Sequence, residues 1–161
     1  MALVVGTNSY VDVDTAEAFF SDRLDVAAWV SAGSTMKAQA LVTASQMLNA
    51  VSWLGEAVSE SQLLAFPRSG SYLDPMLGKL VTLDSNVVPQ RILQATMEQA
   101  YHLLNNDGLL DSNGTPSRIK VGPIELEGMR ASAPPLFSQT AKRLYGPLVS
   151  PFVSTTWWRA N

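Results

Sequence analysis

Gln62-Leu63-Leu64-Ala65-Phe66-Pro67-Arg68 and, twenty residues on, Val88-Pro89-Gln90-Arg91-Ile92 bracket the stretch that decides the fold. Pro67 biases Phe66 toward extended backbone, so the first piece reads as a buried apolar corner. Pro89 suits the first turn of a helix, where its missing N–H costs nothing. Leu93, Thr96, Ala100, Leu103 and Leu104 then recur at helical spacing, with Gln94, Glu98 and Gln99 between them as the expected polar face. Asn105-Asn106-Asp107-Gly108 ends that helix with residues that tolerate left-handed backbone. Between corner and helix, Ser69 to Asn86 reads as a long loop, an excursion expected at a subunit interface.

Working back toward the N-terminus, Met36, Ala40, Leu41, Ala44, Met47, Leu48 and Val51 keep the three-four rhythm of an amphipathic helix from about Met36 to Trp53. Its Ala- and Met-rich face predicts close helix–helix packing, with the methionines as core filler. Asp14 and Glu17 have the spacing of a capping box for an earlier helix through Phe19, Phe20 and Leu24. Asp12, Asp14 and Glu17 could instead form a carboxylate cluster for acid/base work or a hard metal. The cap spacing favours the structural role. His102, the one histidine, has no partner pattern and reads as a packed or exposed side chain rather than a catalyst.

Toward the C-terminus, Arg118-Ile119-Lys120-Val121 and Ile124-Glu125-Leu126-Glu127 alternate apolar and charged residues across Gly122-Pro123. That pattern predicts a bulge or tight hairpin in which opposite charges can pair. A short helix is expected over Leu136, Phe137, Ala141, Leu144 and Tyr145, stopped at Gly146-Pro147. The tail holds Phe152, Trp157, Trp158 and Arg159. Two adjacent tryptophans either fold back on the domain or plug a partner, and Trp and Arg are interface-anchoring types.

Composition narrows the function classes. The 161 residues suggest one domain with a modest core. Charged residues make up only 16%, against roughly 25% on average, which favours surface hidden against neighbours. Net charge is −3, but residues 1–66 carry seven acids and two bases. From Ser112 onward there are six bases (Arg118, Lys120, Arg130, Lys142, Arg143, Arg159) and two acids. A nucleic-acid binder usually shows a basic stripe interleaved with aromatics, and an acidic front with a mildly basic tail argues against one. There is no cysteine, which excludes disulfides and thiolate metal sites. No apolar run approaches the roughly 20 residues of a membrane span. No P-loop, dinucleotide fingerprint, zinc spacing or nucleophile elbow is present. No enzyme activity, cofactor or metal is expected.

Ser9-Tyr10-Val11-Asp12-Val13 before an Ala/Phe-rich helix, Lys37 to Ala44 followed by Trp53-Leu54-Gly55, the corner at 62–68, Val88-Pro89, and Lys120-Val121-Gly122-Pro123-Ile124-Glu125 occur together in order. Together they resemble the head–tail connector (adaptor, or head-completion) proteins of tailed bacteriophages. That group overlaps phage sequences labelled as a DnaT-like single-stranded-DNA-binding family. The resemblance implies a mainly α fold: a small helical bundle over residues 7–150, a protruding hairpin at 117–128, and an extended C-terminal arm at 151–161. It implies a structural virion protein, made in the host cytoplasm and placed at the head–tail junction. Twelve copies would form a ring between portal and tail or nozzle proteins, and genomic DNA would pass through without specific binding. No membrane partner is implied. Phe152, Trp157, Trp158 and Arg159 would dock on the portal, and Arg118, Lys120, Val121, Ile124, Glu125 and Glu127 would form the inter-subunit hairpin. The alternative reading is a single-stranded-DNA-binding module of phage replication.

Overall fold

The computed structural model describes residues 2–106, 108, 118–121, 124–127 and 135–150, the two segments between 118 and 127 as backbone only. Among these residues lie five helices: α1 (Val13–Ser21), α2 (Ala27–Ser31), α3 (Ser34–Asn49), α4 (Gln90–Asn105) and α5 (Gln139–Tyr145). Three two-stranded antiparallel ladders accompany them: β1 (Glu56–Ala57) with β2 (Arg68–Ser69), β3 (Ser71–Asp74) with β4 (Lys79–Thr82), and β5 (Arg118–Val121) with β6 (Ile124–Glu127). The architecture is therefore mixed α and β rather than mainly α. The expected loop from Ser69 to Asn86 is the main source of that difference. Tyr72 and Asp74 are buried while Ser71 and Leu73 are exposed, a period-two pattern too short to stand out among the Gly, Ser and Asp of this stretch.

α4 is the axis of the fold: α2, α3 and α5 all pack on it. Ile92, Ala95, Met97, Ala100 and Leu103 are buried, and so are Thr96, Glu98 and Gln99. Of the polar face read from sequence, Glu98 and Gln99 are thus interior and Gln94 is half-buried. Gln99 resolves this by bridging to the chain ahead of α5: its Nε2 donates to the Leu136 carbonyl at 3.0 Å, and its Oε1 accepts from the Ser138 N–H at 2.9 Å. Thr96 donates to the Ile92 carbonyl at 2.8 Å. A buried polar side chain is tolerated when its hydrogen bonds are made. Among the described residues no buried side-chain nitrogen or oxygen lacks a partner.

α3 supplies Ala40, Leu41, Ala44 and Leu48 to the same core, as its periodicity predicts, but it ends at Asn49 rather than near Trp53, and Met36, expected on the buried face, is exposed. Its N-cap is Gly33, without a side-chain cap bond. The N-cap of α1 is Asp12, whose Oδ1 accepts from the Thr15 N–H at 2.7 Å. The capping box expected from Asp14 and Glu17 does not form: Asp14 is one residue inside the helix, and Glu17 turns to other partners.

The corner at 62–68 is buried at Leu64 and Phe66, and the Phe66–Pro67 peptide is cis. The Phe66 ring meets Trp53 edge-on at 5.1 Å and Tyr10 at 6.5 Å, and Trp53 meets Tyr145 at 5.5 Å. Asn49 ties the pieces together, accepting from the Tyr10 hydroxyl at 2.6 Å and the Ala65 N–H at 2.9 Å. Arg68 clamps the turn by donating to the carbonyls of Leu54 (2.9 Å), Gly55 (2.6 Å) and Ala65 (3.3 Å). The described C-terminal end is tied to the same place. Leu54 N–H donates to the Leu148 carbonyl and Ser150 N–H to the Ser52 carbonyl, both at 2.9 Å.

β5 and β6 pair Arg118 with Glu127, Ile119 with Leu126, Lys120 with Glu125 and Val121 with Ile124. The hairpin form of this segment is present, and its register sets opposite charges across from each other.

Candidate nucleic-acid interface

A protein that grips phosphate needs cations whose charge is not already neutralised from within. Most cations of the N-terminal hundred residues fail that test. Arg23 pairs with the buried Glu98 and lies 5.3 Å from the Phe19 ring centre and 5.8 Å from that of Phe20. Lys37 pairs with Glu17 at 2.6 Å and sits 5.4 Å from the Trp29 ring centre. Glu17 also accepts from the Trp29 indole at 3.2 Å. Its carboxyl is held below the usual range chiefly by the Lys37 hydrogen bond. Arg91 forks onto Asp74, with Nη2 at 3.0 Å from Oδ1 and Nε at 3.2 Å from Oδ2. Arg68 is committed to carbonyls, as described above.

Asp74 is the centre of the densest of these networks. It also accepts from the Tyr72 hydroxyl at 2.8 Å and from the N–H groups of Met76 (2.8 Å) and Leu77 (3.2 Å). The Arg91 guanidinium holds its carboxyl far below the ordinary carboxylate range. Glu98 goes the other way. Burial pushes its carboxyl up, and the Arg23 guanidinium offsets only part of that. Both are structural ion pairs that join an N-terminal or hairpin element to α4.

The cations left without an anion or carbonyl partner among the described residues are Lys79, Lys142 and Arg143. Lys142 and Arg143 are adjacent and exposed on α5. No acid occurs between 135 and 150. Arg118, Lys120, Arg130 and Arg159, whose side chains lie outside the described ones, belong to the same basic third of the sequence. None of the described aromatic rings is exposed. Tyr10, Phe20, Trp29, Trp53, Phe66, Tyr72 and Tyr145 are buried, and Phe19, Tyr101 and Phe137 are half-buried. The chain's other aromatics are Phe152, Trp157 and Trp158.

The sequence-stretch candidates for chemistry disperse. Asp12 is a helix cap, Asp14 lies one residue inside α1, and Glu17 binds Lys37 and Trp29. His102 spans Pro135 and Asn106: its Nε2 is 2.7 Å from the Pro135 carbonyl and its Nδ1 is 3.2 Å from Asn106 Nδ2. Among the described residues no group of three or more His, Asp or Glu is placed to hold a metal. An apolar cavity of about 360 Å³ between α3 and α4 is lined by Met36, Gln39, Ala40, Thr43, Leu103 and Leu104 and contains no titratable group. No helix among the described residues is long and apolar enough to cross a membrane. Phe152, Trp157, Trp158 and Arg159, expected to dock on a portal, lie outside the described residues. Of Arg118, Lys120, Val121, Ile124, Glu125 and Glu127, only the backbone pairing is described. The α5 pair was not singled out from sequence. Its signal was there: two neighbouring bases in a helix with no acid three or four residues away.

A family model described as "Putative DnaT-like ssDNA binding protein" matches residues 2–157. A search of curated proteins and a search of solved structures each gave no match. The family match overturns the expectation of a virion connector ring docked on portal and tail proteins, with DNA passing untouched. It favours the alternative, in which DNA is itself the ligand. With nearly its whole length matched, the chain belongs to this DnaT-like family.

Proposed function

We propose that the chain binds single-stranded DNA without turning it over, through an electrostatic contact centred on Lys142 and Arg143 of α5. The observation that carries this reading is the partition of charge. Arg23, Lys37 and Arg91 are neutralised inside the fold and Arg68 is spent on carbonyls, whereas the α5 pair faces solvent with no acid on its own segment. The family description supplies the ligand class. Three acids of the first hundred residues, Glu17, Asp74 and Glu98, answer internal cations, so part of the acidic charge of the sequence is spent inside the fold. Phe152, Trp157 and Trp158 fall in the same basic third, and base–aromatic stacking is tolerant of sequence.

The test is anisotropy of labelled oligothymidylate across a salt series. Each phosphate contact to a single strand contributes a slope of about −0.7 in log K against log salt. Two contacts give about −1.4, and all six bases of the C-terminal third give about −4. Tight binding that weakens with salt inside that range supports the proposal. An absence of binding at low salt, or binding insensitive to salt, overturns it.

A further inference from the structure

Among the described residues up to the end of α4, Lys79 is the basic side chain that no anion or carbonyl engages, and it is exposed. It opens β4 directly across from Asp74, and a carboxylate so placed would ordinarily neutralise it. Here the carboxylate is spent elsewhere. Asp74 accepts from Arg91, from the Tyr72 hydroxyl and from the N–H groups of Met76 and Leu77, which fills the roughly four lone-pair sites of a carboxylate. The same contacts fix where Lys79 stands. Asp74 also holds the turn at 75–78 through its carbonyl, which accepts from the Gly78 N–H at 2.8 Å, and the Arg91 fork ties that turn to α4. α5 packs on α4 as well, so Lys79 and the α5 pair are mounted on one scaffold.

We infer that Lys79 is a further phosphate contact of the single-stranded-DNA site, so that the bound strand runs from α5 past the turn at Gly146–Leu148 to the start of β4. The inference rests on the DNA-binding reading and adds a path to it. Two observations carry it. The route is short: the turn at Gly146–Leu148 continues directly from α5, and its Cα atoms come within 8 Å of those of β3. With a helix rising about 1.5 Å per residue and a four-residue strand about 13 Å long, Lys79 lies within roughly 35 Å of Lys142. Even at the duplex spacing of about 3.4 Å per nucleotide, about ten nucleotides cover that span, inside the site sizes of about 4–16 nucleotides known for single-strand grooves. The route also carries no free negative charge. Residues 71–83 and 135–150 hold a single acid, Asp74, and its charge is already met by Arg91.

The experiment compares four full-length chains: the parent, Lys79→Gln, Lys79→Arg and Lys142→Gln/Arg143→Gln. Each is titrated by anisotropy with a labelled oligothymidylate long enough to span both elements, across a salt series. Lys79→Gln is expected to lower the slope of log K against log salt by about 0.7, the share of one single-strand phosphate contact. Lys79→Arg keeps the charge and restores the parent slope. Neither change moves Tm, because Lys79 has no partner among the described residues to lose. A Lys79→Gln slope equal to the parent's overturns the inference. If the α5 double variant lowers the slope in the same experiment, the DNA-binding reading stands without Lys79. A parent chain that does not bind overturns both.

Discussion

Gly55→Ala tests how the apolar corner is held shut. Gly55 has φ +72°, and a Cβ built on it would stand 1.9 Å from the Ser69 carbonyl oxygen and 3.3 Å from the Gly70 Cα. Left-handed backbone costs a non-glycine residue about 1–2 kcal/mol, and a narrower unfolded ensemble returns about 0.4–1 kcal/mol. The larger effect is the clash. The obstacle is backbone, so β1 and β2 must separate by roughly 1 Å, which carries hydrogen bonds beyond the range of about 2.7–3.2 Å in which they hold. The Arg68 bonds to Leu54 and Gly55 cross the same gap, and a hydrogen bond to a charged group contributes about 1.5–3 kcal/mol. The total is a loss of about 3–5 kcal/mol. At about 2–4 °C per kcal/mol for a chain of this size, Tm falls by roughly 6–20 °C. Gly78→Ala is the matched control: φ is +63° and nothing lies within 4 Å of the added Cβ. It carries only the backbone cost, about 0–1.6 kcal/mol after the entropic return. Thermal unfolding of the two variants by circular dichroism decides. If Gly55→Ala is no less stable than Gly78→Ala, the close approach at the corner is not what holds it, and the reasoning fails.

Three further outcomes follow from the ion pairs and from α5. Asp74 has its carboxyl lowered from the ordinary value of 3.8 by Arg91, so its contribution to stability is fully present above that pH and is lost as pH falls below it. Asp74→Asn lowers Tm at neutral pH and flattens the acid limb of the stability profile. An unchanged acid limb rules out this carboxylate as its source. Glu98 has the opposite sign: its carboxyl is raised by burial, so its stabilising contribution belongs to low pH and is lost as pH rises through the raised value. Glu98→Gln therefore loses less stability than the parent as pH rises from the carboxylate range toward neutrality, and parallel profiles would contradict the assignment. Lys142→Gln with Arg143→Gln reduces the salt slope of oligothymidylate binding by about 1.4 if both cations meet phosphate, at unchanged Tm. An unchanged slope removes α5 from the interface.

Much of the fold was legible in the residues. The apolar rhythm of α3 and α4, the buried corner ending at Pro67, and the alternation in Arg118–Glu127 each announce their element, because periodicity and proline geometry act locally. The β3–β4 hairpin was not legible, since two four-residue strands joined by a turn that holds Pro75 and Gly78 give too few alternations to separate from a loop. Asp12 rather than Asp14 caps α1 because the helix starts at Val13, which sets the Thr15 N–H three residues past Asp12, within reach of its carboxylate. The burial of Gln99 and Glu98 could not be read from helical spacing, because whether a polar face meets solvent depends on what packs there. Here that is the chain entering α5 and the arginine that follows α1.

The same division holds for the candidate site. Sequence alone fixed the inventory of charge: an acidic front, a basic last third, and no cysteine or nucleotide-binding fingerprint. Tertiary structure decided which of those charges remain available. Arg23, Lys37 and Arg91 meet carboxylates drawn from up to 75 residues away, and no local pattern encodes a contact over that distance. Only the folding of those elements onto one another cancels their charge and leaves the α5 pair uncommitted among the described residues.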